Sequence, residues 1–423
     1  MKKSICVVGL GYIGLPTAVM FANHGHMVHG VDINEKAVKM ICNKELHIEE
    51  HGLQERLELA IDGGRLTAST TPVQSDVYII AVPSPIKSDK TAELEYVRSA
   101  TSAVVPFLKK GDLVILESTV PPKTVETVML PELKKSNLEI GSELYVSHSP
   151  ERVIPGKVFK ELVSNDRIIG GINTESARVT SDLYKSFVEG TMHETDATTA
   201  ELVKVMENTY RDVNIAFANE LAIIAQSIGV NIWEAIKLAN FHPRVNIHTP
   251  GPGVGGHCIA VDPWFLVELD PKNSKIIHLA RQTNDGMPSY TAQLTADILK
   301  AKGIQDPKVA VFGLAFKGNI DDMRESPSVE VVEQFRVRQI EFTAYDPHIK
   351  TNNLPEQTQE RQEALNDASA IVILTEHQAF KEIDPKSLSS MKHKVVIDTK
   401  NCVNRKVWEE AGFDVYVLGD SKN

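Results

Sequence analysis

Short apolar runs bounded by glycine, proline and acidic residues alternate along this chain with stretches in which apolar residues recur every three or four positions. Ser4 to Val8 is a β-branched run, and Gly9-Leu10-Gly11-Tyr12-Ile13-Gly14 follows at once. Leu15 to Gly25 carries helical spacing, and His26 to Val31 reads as a second strand ending at Asp32. Continuous apolar runs at Val77–Val82, Leu113–Leu116, Leu144–Ser147 and Arg167–Gly170 read as buried parallel strands. From Asp196 to Gly229 the pattern predicts one long helix, with Thr195 or Asp196 as its N-cap and Gly229 at its end. Strands resume at Pro307–Phe316, Glu341–Tyr345, Ala370–Leu374, Lys394–Ile397 and Val415–Leu418, with a helix from about Ser328. Residues 351–366 are polar and read as a surface excursion.

The alternation predicts an α/β fold: two doubly wound, Rossmann-like domains joined by a long central helix. The expected division is 1–192 for a dinucleotide-binding domain, 193–300 for a central helical and dimerisation domain, and 301–423 for a second, smaller doubly wound domain. The order strand, glycine turn, helix, strand, acid at the N-terminus is the full dinucleotide fingerprint in one βαβ unit. Gly9 permits the turn, Gly11 lets a pyrophosphate approach the backbone, and Gly14 permits close packing of helix on strand. Tyr12 and Ile13 lie within the turn, and the helix N-terminus offers free N–H groups to phosphate. Asp32 suits both ribose hydroxyls and repels a 2′-phosphate, which selects NAD over NADP. The second doubly wound stretch has Gly313 but no GxGxxG, so a second dinucleotide is not expected.

Composition narrows the partners. The 423 residues are 42 % hydrophobic and 24 % charged, ordinary for a globular chain, and the net charge of −11 disfavours nucleic acid or an anionic membrane surface. An anionic substrate must then be met by a local basic cluster. The four cysteines form no CxxC pair and no His/Cys ladder at zinc spacing, which fits a reducing cytoplasm and no metal. No apolar run approaches membrane-spanning length, and the N-terminal run lacks the features of a signal peptide.

Candidate chemistry gathers at strand ends and in the middle of the chain. Val82-Pro83-Ser84-Pro85, Glu117-Ser118-Thr119-Val120-Pro121 and Ser149-Pro150-Glu151-Arg152 follow predicted strands, where open α/β sheets bind ligands, although ordinary turn chemistry explains such loops equally well. On the long helix Glu201, Lys204, Asn208 and Arg211 stack on one side, a pattern that by itself describes a solvated face. A Lys and an Asn one turn apart can also serve as base and oxyanion donor. The stretch Gly251 to Pro263 holds four glycines and two prolines and presents Cys258, with Asp262 four residues on. On its own it reads as a tight turn with an inert thiol; in this context it reads as a nucleophile loop. Lys317, Arg324, Lys400 and Arg405 follow strands of the last third and suit a nucleotide diphosphate.

Assembled in order, the glycine fingerprint, Glu117-Ser118-Thr119-Val120, Ser149-Pro150-Glu151-Arg152, Glu201-Leu202-Val203-Lys204 with Asn208, Gly255-Gly256-His257-Cys258, Asp262 and Phe316-Lys317 resemble the UDP-glucose/GDP-mannose dehydrogenase family over nearly the whole length. Arg152-Val153, His242-Pro243-Arg244-Val245-Asn246 and the residues from Cys258 to Phe265 most resemble its UDP-N-acetylmannosamine branch. The resemblance implies four-electron oxidation of a UDP-sugar C6 alcohol with two NAD, in a cytoplasmic homodimer. It implies Lys204 as base, Asn208 as oxyanion donor, Cys258 as nucleophile, and Asp262, Thr119 or Glu151 as positioners of hydrolytic water. Pro83, Ser84, Thr119 and Arg324 then join the cofactor site. Arg152, Val153, Arg211, His242, Gly255, Phe316, Lys317 and Arg405 join the substrate site, with Arg244 contributed across the dimer. UDP-N-acetylglucosamine and UDP-glucose remain alternatives, as does a single-step NAD dehydrogenase of the hydroxyacid type, which needs no nucleophilic Cys.

Overall fold

The computed structural model describes residues 2–48, 50–154 and 156–420. The chain divides into two compact units, Met1–Glu207 with Trp264–Pro271, and Asn208–Pro263 with Lys272–Asn423.

The first unit is built on eight strands: β1 (Ser4–Val8), β2 (Met27–Val31), β3 (Leu66–Ser69), β4 (Val77–Ile80), β5 (Asp112–Leu116), β6 (Leu144–His148), β7 (Arg167–Gly171) and β8 (Met192–Asp196). Their order is β3-β2-β1-β4-β5-β6-β7-β8. The apolar runs are continuous because both faces are covered, and the two-residue period sorts them. Ile5, Val7, Ile79 and Ile115 enter one core, while Cys6, Val8, Tyr78, Ile80, Val114 and Leu116 enter the other. One expectation is corrected: β7 pairs antiparallel with β6 through Ser147–Gly171 and His148–Gly170. β3 and β8 were missed. β3 is four residues long and half exposed, and β8 (Met-His-Glu-Thr-Asp) is an edge strand with few apolar positions.

The second unit carries β9 (Lys308–Phe312), β10 (Glu341–Tyr345), β11 (Gln357–Thr358), β12 (Ala370–Ile373), β13 (Val395–Asp398) and β14 (Asp414–Val417), all parallel, in the order β11-β10-β9-β12-β13-β14. Residues 351–366 are not a mere excursion. They include β11, and the helix Arg361–Leu365 buries Ala364 and Leu365 in the core.

The two sheets repeat one device. Gly9 follows β1 at φ +94° and donates its N–H to Val31 O at 2.8 Å; Gly313 follows β9 at φ +98° and donates to Tyr345 O at 2.9 Å. Each next residue donates to the acid that closes the neighbouring strand, Leu10 to Asp32 at 2.9 Å and Leu314 to Asp346 at 2.8 Å. In both sheets the strand order reverses at this point, where doubly wound folds bind ligands.

The predicted long helix runs Ala197–Ile228. Asp196 caps it, its carboxylate accepting the Thr199 N–H at 2.8 Å, and Gly229 follows at φ +83°. The polarity of its faces departs from the solvated-stripe reading. Glu201 and Asn208 are buried, whereas Leu202, Met206, Tyr210, Phe217, Ile224 and Ile228 are exposed. A 27-residue helix, Lys275–Ala301, tolerates Pro288 in its interior and was not expected.

Candidate active site

In the first unit the glycine turn is sorted by what surrounds each glycine. A Cβ on Gly9 would lie 2.4 Å from Ala81 O, and one on Gly14 would lie 1.8 Å from Gly9 O, so both positions are closed by the protein itself. A Cβ on Gly11 would meet nothing within 4 Å. The helix Gly14–Asn23 starts at Ile13 with no side-chain cap and no acid in its first turn. Leu15 and Thr17 donate to Gly11 O and Ile13 O and Pro16 has no N–H, so an anion would be met by the N–H groups of Ile13 and Gly14 and by the helix dipole. Asp32 Oδ1 accepts from Asn34 N–H at 2.9 Å and Oδ2 from Leu10. Each carboxylate oxygen retains a further lone pair for a ribose hydroxyl. These features fit NAD, which Gly9, Gly11, Tyr12, Ile13, Gly14 and Asp32 would hold.

The strand-end loops beside this turn are tied together. Ser84 Oγ donates to Thr119 O, and Ser118 Oγ donates to Val82 O at 2.6 Å. Glu151 lies in a buried network that sequence reasoning missed. Arg167 Nη2 donates to Glu151 Oε2 at 2.7 Å and to Glu117 Oε1 at 3.0 Å, and its Nε reaches Ser149 Oγ at 2.9 Å. The guanidinium stacks 3.9 Å over the Tyr184 ring, and Tyr184 Oη donates to Glu117 at 2.6 Å. Thr17 of the cofactor helix donates to the other Glu117 oxygen at 3.2 Å. One cation thus serves two carboxylates, and burial pushes the Glu117 carboxyl above the usual carboxylate range, against the pull of the Arg167 charge. The partners are 16 to 100 residues apart, so no local pattern could have announced them. Arg152 turns away to Glu207 (Nη2 to Oε1 at 2.6 Å), with Val153 beside it half-buried.

Lys204 is half-buried on the central helix. Three residues before Glu151, His148 is fully buried, and burial together with the nearby Lys204 charge pulls its pKa down to about 3. Glu201, on the buried face, accepts the N–H of Lys123 at 2.5 Å and of Val125 at 2.8 Å. It therefore clamps the segment after Thr119-Val120-Pro121.

In the second unit Asn208 and Asp262 meet: Asn208 Nδ2 donates to Asp262 Oδ2 at 2.6 Å, and both are buried. The Asp262 N–H returns to Cys258 O at 2.8 Å, so the turn that opens the helix Asp262–Leu269 presents an exposed Cys258 thiol beside this pair. The loop before it is confined by Gly255, where a Cβ would lie 2.4 Å from Glu325 O, and by Gly256, where it would lie 2.9 Å from the Phe316 ring. Phe316 is half-buried and Lys317 exposed beside it. Arg324 forks onto Asp322 at 2.9 and 2.7 Å, Arg405 pairs with Asp420 at 2.6 Å, and Arg211 is exposed on the central helix. His242 and Arg244 pair with each other on an exposed loop, with Arg244 Nη2 3.4 Å from His242 Nε2.

Two doubly wound units, the first with a dinucleotide cradle and the second with a thiol presented beside an amide–carboxylate pair, define a dinucleotide-dependent oxidoreductase. The chain belongs to the UDP-glucose/GDP-mannose dehydrogenase family: the NAD-binding domain matches residues 3–188, the central domain 198–286 and the UDP-binding domain 310–405. It is accordingly an NAD-dependent UDP-sugar dehydrogenase. It is 50 % identical over 426 residues to the UDP-N-acetyl-D-mannosamine dehydrogenase of Methanococcus maripaludis, covering 99 % of this chain and 97 % of the relative. It is 46 % identical over 418 residues to an NDP-N-acetyl-D-galactosaminuronic acid dehydrogenase of Ralstonia solanacearum, covering 96 % and 97 %. The solved UDP-D-ManNAc dehydrogenase of Pyrococcus horikoshii superposes with a TM-score of 0.93 at 42 % identity, covering 99 % of this chain and 100 % of that one. Among the described residues no helix is long and apolar enough to cross a membrane.

Proposed function

We propose that the protein oxidises UDP-N-acetyl-D-mannosamine at C6 to UDP-N-acetyl-D-mannosaminuronate, a precursor for surface polysaccharide, in two hydride steps joined by a covalent intermediate on Cys258. The observation that carries this reading is the cluster of Cys258, Asp262 and Asn208, with Lys204 one helical turn from Asn208. A single-step alcohol dehydrogenase has no use for the thiol.

NAD, when bound, supplies a hydride acceptor for each of the two oxidations. In the first, Lys204 takes the O6 proton as hydride leaves C6, giving the aldehyde. Cys258 loses its thiol proton to solvent and its Sγ then bonds to C6, and the aldehyde oxygen becomes an alkoxide stabilised by the Lys204 ammonium and by the Asn208 N–H that Asp262 does not use. Loss of the second hydride re-forms the carbonyl as a thioester. Water held by Asp262, Thr119 or Glu151 adds to it, and the S–C bond breaks to return the thiol and release the acid. The sum is alcohol, water and two NAD to carboxylate, two NADH and protons. Lys317, Arg211, Arg405 and the glycine-loop backbone are assigned to the uridine diphosphate, Arg152, Val153, His242, Gly255 and Phe316 to the substrate pocket, and Pro83, Ser84 and Arg324 to the cofactor. The segments 1–192, 193–300 and 301–423 are assigned to cofactor binding, dimerisation with the nucleophile loop, and UDP-sugar binding.

A homodimer is the second part of the proposal, supported by the exposed apolar stripe of the central helix. Arg244, on an exposed loop of the second unit, is assigned to the partner's sugar site. The galactosaminuronate relative at 46 % identity keeps an N-acetylgalactosamine nucleotide as the second reading. A panel of UDP-sugars followed by NADH absorbance decides between them. The mannosamine compound is expected to give the highest kcat/KM and two NADH per sugar consumed, and a plateau at one NADH would sink the mechanism.

A further inference from the structure

The second unit repeats the turn and acid of the first but spends the acid differently. Asp32 is left able to receive a ribose, whereas Asp346 is buried and fully engaged. Its Oδ2 accepts the N–H of Leu314 at 2.8 Å and of Ala315 at 3.0 Å, and also receives His377 Nε2 at 3.0 Å. His377 has no exposed surface, and its Nδ1 accepts the backbone N–H of Asn319 at 2.9 Å. A ring nitrogen that accepts from an N–H carries no proton, so Nε2 must be the donor to Asp346. The segment 314–319 is therefore tied to one buried pair at both ends. Thr375 adds a tether, its Oγ1 donating to Ala315 O at 2.7 Å.

Between these anchors stand Phe316 and Lys317. The Phe316 ring lies against Gly256, two residues before Cys258. We propose that His377 is a positioning residue: it fixes the Phe316–Lys317 segment on which the uridine diphosphate rests, and through the Phe316 ring the glycine loop that presents Cys258. The acid position that serves the cofactor in the first unit has become an internal anchor for the substrate segment in the second. This inference rests on the assignment of Lys317 to the diphosphate.

Two near-isosteres separate the two ring nitrogens. His377→Asn keeps an acceptor near the Nδ1 position and so keeps the Asn319 tether, whereas His377→Gln keeps a donor toward Asp346 and loses that tether. His377→Gln is expected to raise the Kd for UDP about tenfold, the scale of one buried hydrogen bond, and the KM for the UDP-sugar in parallel, with the Kd for NAD unchanged. His377→Asn is expected to stay within about twofold of wild type in all three. A merely structural role would lower the melting temperature of both variants alike without separating UDP from NAD. Should His377→Gln not fold, Thr375→Val releases the same segment at Ala315, and the same selective loss of UDP affinity is expected. The proposal is overturned if the folded variant, His377→Gln or its substitute, binds UDP as wild type does, or if the Asn and Gln variants lose UDP affinity equally. Lys317→Ala is the control on the premise. Weakened UDP binding in Lys317→Ala beside wild-type binding in His377→Gln refutes the anchor and leaves the diphosphate assignment standing. Unchanged binding in Lys317→Ala refutes both.

Discussion

The three glycines of the cofactor turn make a prediction that separates folding from binding. Gly11 has open space where its Cβ would go and no positive φ, so Gly11→Ala introduces no clash into the protein by itself. Removing backbone freedom from the unfolded chain should even stabilise the cofactor-free protein by about 0.4–1 kcal/mol. The space that the methyl enters is the one proposed for the approach of the pyrophosphate to the backbone. Displacing it costs hydrogen bonds to a charged group at about 1.5–3 kcal/mol each, and two of them amount to about 3 kcal/mol or more, a Kd raised roughly a hundredfold. Gly14→Ala differs, because its Cβ would sit 1.8 Å from a backbone oxygen and the turn itself must move. That overlap should cost about 3 kcal/mol of stability with or without cofactor. Thermal melting with and without NAD, beside calorimetric titration, reads both quantities. At a concentration of one hundred times the wild-type Kd, NAD should stabilise the wild type by about 2.7 kcal/mol and Gly11→Ala by only about 0.4. Wild-type NAD affinity in Gly11→Ala, or a cofactor-free melt as low as that of Gly14→Ala, would refute the reasoning.

Cys258→Ala should abolish acid formation yet still reduce a supplied UDP-sugar 6-aldehyde with NADH. Acid produced at a near wild-type rate would show that the aldehyde reacts as its hydrate and reduce the loop to a scaffold. Phe217, half exposed on the apolar stripe of the central helix, should be buried in a dimer; Phe217→Glu is expected to shift the light-scattering mass toward the monomer, and a wild type that is already monomeric rules the shared site out. His148 predicts a pH effect with a definite sign. Burial holds its folded pKa near 3 against 6.5 when unfolded, so between those values the unfolded chain takes a proton that the folded chain refuses, and stability falls as pH drops. From pH 7.5 to 5 this is about 2 kcal/mol. His148→Asn should lose less stability than wild type by that amount between pH 7.5 and 5 in guanidinium unfolding, and parallel pH profiles would show that the imidazole is not buried neutral.

Much of this protein is legible along the chain because its signals are local. The cofactor turn depends on steric facts within six residues and on an acid one strand away, so Gly9, Gly14 and Asp32 declare themselves without a structure. Buried parallel strands declare themselves because both faces must be apolar, and the central helix because Asp196 caps it and Gly229 ends it within a residue of the pattern. The family motifs placed Cys258, Asp262, Lys204 and Asn208 in order. The antiparallel turn of β7 was not legible, since an apolar run carries no direction. β8 and β11 were not legible either, since an edge strand and a two-residue strand carry almost no period.

What only the tertiary structure decided is which polar groups are spent on each other. Two members of the helix face read as solvated, Glu201 and Asn208, are buried, because Glu201 closes two backbone donors and Asn208 meets Asp262 across 54 residues of chain, while Arg211 on the same face stays exposed. Arg167 shared between Glu117 and Glu151, and His377 between Asp346 and Asn319, are partnerships across tens of residues. Periodicity records whether a side chain faces the core. A buried charge or imidazole must also find its complement, and that complement is chosen by the packing of strand ends in three dimensions.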